Sequence, residues 1–216
     1  MSTTRPIIVF DSGIGGLSIY RLLQIELPGE VIVYIADSAN FPYGDKSKEW
    51  LVARFVELGK QFAALNPKLV VIACNTATTN VIQDLRSQLS CPIIGVEPVI
   101  KPLATYERSL ALMTESAASS DTTKDLLSKY GEHVRIYTPH GLASAIEFND
   151  YEQVKTIIHE IKEVVQKNNI QAIGLSCTHY PLILKELQKE IPAVAFIDPS
   201  DAVVKEVVRV LKRGSI

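Results

Sequence analysis

Val70–Thr76 reads VVIACNT and Ile173–His179 reads IGLSCTH. Each is a short apolar run that ends in a small residue, a cysteine and two polar residues. Apolar runs of this length, set between longer segments of helical periodicity, read as strands buried on both faces of a parallel sheet. The same order of features follows each cysteine: a helical segment, another apolar run, then an acidic residue before proline, Glu97-Pro98 and Asp198-Pro199. Upstream, VIVY at 31–34 is echoed by VRIY at 134–137. Further upstream, Ile7–Ser12 and Leu110–Ser116 both pass from an apolar run into a small polar turn.

The echo predicts an α/β fold of two pseudo-symmetric lobes, each a four-stranded, largely parallel sheet flanked by helices. The active site is expected in the cleft between them. Strands are expected at 7–10, 31–35, 69–73, 93–96, 109–113, 134–137, 172–175 and 195–197, and helices at 17–26, 48–65, 78–89, 151–167 and 182–190. Ser116–Thr123 reads as a helix start with several potential caps. The lobes divide as residues 1–98 and 99–216, a duplicated domain and not a solenoid.

Composition narrows the function classes. The chain has 216 residues, 47% hydrophobic and 21% charged, which supports a buried core and excludes disorder. Lys and Arg total 22 against 24 Asp and Glu, a net charge of −2. That balance gives no electrostatic footprint for nucleic acid or an anionic membrane. The apolar run 69–74 is far short of the ~20 residues a membrane span needs. Met1–Pro6 shows no signal-peptide apolar region, so a cytoplasmic location is expected. Three cysteines form no disulfide framework, and the thiols are expected to stay reduced.

In an open parallel sheet, ligands bind beyond the carboxyl ends of the strands. Cys74 and Cys177 both stand at such an end, with a helix expected immediately after. Two lobes facing each other would point both thiols into one cleft from opposite sides. That suits inversion of a stereocentre: one thiolate removes a proton from one face and the other thiol delivers one to the opposite face. A helix N-terminus beside each thiol is expected to lower its pKa. Asp11 and His179 are placed to assist the first and second thiol respectively. The turn DSGIGG at 11–16 offers free N–H groups to an anion, and lacks the third glycine of a dinucleotide fingerprint.

Asp11-Ser12-Gly13, FPYG at 41–44, ACNTA at 73–77 and CTHYPL at 177–182 together resemble the glutamate racemases, within the cofactor-independent aspartate/glutamate racemase superfamily. The resemblance runs from about residue 7 to residue 201. It implies interconversion of L- and D-glutamate without pyridoxal phosphate, any other cofactor or metal, which in a bacterium supplies D-glutamate for peptidoglycan. Carried over by motif, it implies Cys74 and Cys177 as paired acid and base, with Asp11 and His179 as assistants. Glu147, after Ala145-Ile146, matches the acidic residue of the second lobe. Asp11, Ser12, Pro42, Tyr43, Gly44, Asn75, Thr76 and Thr178 would bind a small acidic amino acid.

The chain also departs from the pattern. MTESAA at 113–118 stands where the family has a Gly-Thr strand end, which points Glu115 toward the site and questions glutamate as the substrate. Ser176 replaces a common glycine. The C-terminal segment that packs on the first lobe is expected to be missing, leaving a surface for a second copy in a homodimer.

Competing readings are narrower. A zinc site from Cys74, Cys177 and His179 lacks CxxC-type spacing. Cys91, His133, His140 and His159 read as packing or surface residues, Asp37 and Glu97 as caps or solvated groups, and Asp198 as a helix-start carboxylate. The alternative functions are aspartate racemisation, a maleate-isomerase-like two-cysteine reaction, and a non-catalytic module that binds an amino acid or a protein.

Overall fold

The run IIVFD is buried at every position and forms the first strand of the computed structural model, which describes residues 5–213. Met1–Thr4, the start of the stretch read for a signal peptide, lies outside the described residues, as do 214–216. The first half runs β1 (Ile7–Asp11), α1 (Leu17–Glu26), β2 (Ile32–Ala36), α2 (Lys48–Ala64), β3 (Leu69–Ile72), α3 (Asn75–Arg86) and β4 (Ile93–Gly95). The second half runs α4 (Ile100–Leu103), β5 (Ser109–Met113), α5 (Glu115–Ser119), α6 (Asp121–Tyr130), β6 (Val134–Tyr137), α7 (Leu142–Glu147), α8 (Tyr151–Lys167), β7 (Ala172–Ser176), α9 (Leu184–Glu190), β8 (Ala195–Ile197) and α10 (Ser200–Arg213).

Two parallel four-stranded sheets result, in the orders β2-β1-β3-β4 and β6-β5-β7-β8. The orders are identical when the second is numbered from its own start, so the sequence echo is an echo of topology. In each sheet the order reverses between the first and third strands, β1/β3 and β5/β7. Their carboxyl ends form the crevice where an α/β sheet receives a ligand.

Alternation along the strands builds two layers per sheet. Ile8, Phe10, Val70 and Ile72 face α2 and α3, while Ile7, Val9, Leu69 and Val71 face α1. In the second sheet Leu110, Leu112, Ile173 and Leu175 face α7, α8 and α9, while Ala111, Met113 and Ala172 face α4 and α6.

Helix α10 returns to the first lobe. After β8 the chain crosses back, and Val203, Val204 and Val207 pack beside α1 on the first sheet's outer layer. Val207 is fully buried. Val207→Ala is expected to cost about 2 kcal/mol from lost burial and a small cavity, measured as a lower urea midpoint at unchanged m-value.

Candidate functional site

Both reversal points open on one cavity of about 160 Å³, below the ~300 Å³ typical of drug-sized ligands and suited to a small metabolite. From the first lobe it is lined by Ser12, Pro42, Tyr43, Gly44, Cys74, Asn75 and Thr76, and from the second by Cys177, Thr178 and His179. Asp11 and Glu147 do not line it; they lie behind the lining and hold it in place.

Asp11 ends β1 and is completely buried. Its Oδ1 accepts from Ser12 N at 2.5 Å and Ser12 Oγ at 3.2 Å; its Oδ2 accepts from Thr178 Oγ1 of the other lobe at 2.8 Å. Burial raises the Asp11 carboxyl, against the pull of His179 and these hydrogen bonds. The Ser12 hydroxyl, 3.9 Å from Cys74 Sγ, links the carboxylate to the first thiol. Cys74 sits at the N-terminus of α3, as expected, yet its pKa is raised: burial dominates, the Asp11 charge adds to it, and the Ala77 N–H and Ser12 only partly offset both. The expected lowering by the helix is thus outweighed by desolvation of the buried thiol.

No α-helix begins directly after Cys177. Pro181 restricts the preceding residue and lacks an N–H, so Tyr180–Ile183 forms a 3₁₀ turn and α9 starts only at Leu184. His179 Nδ1 stands 4.0 Å from Cys177 Sγ, and Nε2 stands 2.6 Å from Glu147 Oε2. Burial alone would lower the His179 pKa, but Cys177, Glu147 and Asp11 together raise it to about 10. Burial likewise raises Glu147, but hydrogen bonds from His179 and from Ile14 N (2.9 Å) hold it below the ordinary carboxylate value. A buried imidazolium–carboxylate pair therefore stands behind the second thiol.

Polar groups ready for a ligand line the floor. Asn75 Nδ2 donates to Val96 O at 2.9 Å, while its buried Oδ1 has no partner among the described residues. Thr76 Oγ1 and Thr114 Oγ1 meet across the cleft at 2.9 Å. Tyr43 is fixed from behind: its hydroxyl donates to Asp37 Oδ2 at 2.6 Å, and Arg54 donates to both oxygens of the same carboxylate. Asp37, read as a cap or solvated group, is instead the buried anchor of the FPYG loop. Asp198 caps α10, accepting from Ser200 N at 2.9 Å.

Sequence reasoning missed Thr114, Thr138, His140 and Ser144, which also line the cavity. Their signal was available: Thr114 and Thr138 follow β5 and β6 as Ser12 and Asp37 follow β1 and β2. Glu115 lines the cavity at its rim, 70% exposed and 4.0 Å from His140. Among the described residues, no group of three or more His, Cys, Asp or Glu stands together to hold a metal ion. Also among those residues, no helix is long and apolar enough to cross a membrane.

A family profile described as Asp/Glu/Hydantoin racemase matches residues 15–207. The chain is 36% identical to the glutamate racemase of Brucella canis, over 98% of its own length and 81% of the relative's. Its fold matches glutamate racemase from Francisella tularensis solved with D-glutamate, at TM-score 0.85 and 29% identity, covering 98% of this chain and 82% of that one. It also matches Escherichia coli glutamate racemase solved with L-glutamate and the activator UDP-MurNAc-ala, at TM-score 0.80 and 27% identity, covering 96% and 83%.

Proposed function

The chain belongs to the Asp/Glu/hydantoin racemase family, and on that premise we propose that it interconverts L- and D-glutamate by proton transfer between Cys74 and Cys177. The observation that carries this reading is the pair of thiols set at equivalent strand ends of two matching sheets, lining one small cavity. That relatives were solved with each enantiomer of glutamate supports the choice of substrate.

The substrate lies between the thiols with its α-carbon exposed to both. Its ammonium group takes the free Asn75 Oδ1, and its carboxylates take hydroxyls and backbone N–H groups of Ser12, Tyr43, Gly44, Thr76 and Thr178. The positive charge of the ammonium beside Cys74 lowers the thiol that burial had raised. One thiolate then removes the α-proton, and the electron pair spreads into the α-carboxylate. The opposite thiol donates its proton to the other face, leaving the protonation states exchanged. His179, charged through Glu147, stabilises the Cys177 thiolate; Asp11 and Ser12 orient the Cys74 side. With all three cysteines free, we place the reaction in the reducing cytoplasm.

The direct test incubates the purified protein with L- or D-glutamate, without added pyridoxal phosphate, and follows both enantiomers by chiral chromatography. Approach to a 1:1 mixture from either side is expected, with aspartate much slower. No change in either amino acid overturns the reading.

Gly13 supplies a further check. A Cβ there would overlap the Glu147 carboxylate, so Gly13→Ala displaces the partner of His179. A misplacement of this size is expected to lower kcat/KM about a hundredfold, with the cooperative unfolding transition retained.

A further inference from the structure

Tyr34 touches neither the cavity nor a thiol, yet it holds the turn on which the second thiol's apparatus depends. Its hydroxyl donates to Gly13 O at 2.6 Å. The Gly13 carbonyl and the Ile14 N–H belong to one planar trans peptide and point in opposite directions. That N–H donates to Glu147 Oε2 at 2.9 Å, the oxygen that faces His179 Nε2 at 2.6 Å. One peptide group is therefore gripped at both ends, by a phenol of the first lobe and a carboxylate of the second. We infer that Tyr34 is a positioning residue for His179, acting through the Gly13–Ile14 peptide and Glu147.

Three observations make the grip necessary. Residue 13 must be glycine because a side chain would meet Glu147, and glycine leaves the adjoining peptide free to rotate. Tyr34 is itself braced, with its ring edge-on to Tyr20 at 5.6 Å. Burial, followed by the charges of Asp11, Glu147 and Cys74, pushes the phenol well above its ordinary value, so it stays a neutral donor throughout the working range. Successive hydrogen bonds in such a chain also polarise and strengthen one another.

The inference rests on the racemase reading, and its test separates the two. Tyr34→Phe is expected to lower kcat/KM about tenfold, equally in both directions because the enantiomers are equal in energy. In a Glu147→Gln background the same change is expected to do little, under about twofold, because the route is already broken. A full tenfold loss in that background, or no loss in the parent, overturns the inference. A second readout needs no activity: the ¹⁵N titration of the His179 imidazole, governed also by Cys177 and Asp11, should shift to lower pH in Tyr34→Phe and stay in place in Tyr20→Phe. An unmoved titration in Tyr34→Phe overturns the inference even if wild type proves inactive, in which case the racemase reading fails separately.

Discussion

Cys74→Ser and Cys177→Ser should each lose about three orders of magnitude in racemisation of either enantiomer, in the range expected for removing a positioned acid or base. Serine keeps the size and the hydrogen-bonding geometry of cysteine, but its hydroxyl is too weak an acid to supply an anion at neutral pH. The loss must appear in both directions, since each thiol is base for one enantiomer and acid for the other. Circular dichroism and urea midpoints should stay near wild type, because serine is nearly the size of cysteine and leaves little void where each side chain lines the cavity and meets the core. A variant that kept a tenth of its activity would show that the second thiol alone can serve both faces.

Glu147→Gln is expected to have the second largest effect, and pH exposes it. His179 holds its proton to about pH 10 in the folded chain, against an ordinary value of 6.5. Protonation therefore favours folding: this stabilisation is complete below about pH 6.5 and is lost as the pH rises through about 10. Glutamine removes the buried partner and strands the imidazolium, a change that costs roughly 3–5 kcal/mol where such a pair is broken. Urea unfolding at pH 7 should show that gap between wild type and variant. The gap should narrow toward pH 10, where wild-type His179 releases its proton. Glu147 titrates the opposite way: its lowered pKa adds stability above its ordinary 4.5, lost as pH falls through the folded value. A gap constant from pH 6 to 10 would mean that the pair carries no charge.

The sheets were legible because parallel strands buried on both faces appear as bare apolar runs, and the two cysteine strands announced themselves by repetition. A helix after Asp198 was legible, but not where it packs: Val203, Val204 and Val207 have helical spacing, and nothing local says that a helix following the second sheet packs on the first. The thiols, His179 and the DSG turn were legible from residue type and position at strand ends. The raised pKa of Cys74 was not, because desolvation depends on what the other lobe covers. Asp37 and Arg54, 17 residues apart, carry no mark of their pairing. Tyr34 was invisible for a stricter reason: its partner is a backbone carbonyl, which any residue at position 13 would offer.

The central claim is that each face of the α-carbon has its own thiol, and racemisation of L-glutamate in D₂O tests it most directly. At early times the account predicts D-glutamate carrying deuterium at the α-carbon while the remaining L-glutamate is still protiated. The thiol that removes the proton is then not the thiol that donates the deuteron. Deuterium entering the L and D pools together from the start would contradict it, because a single base would be serving both faces.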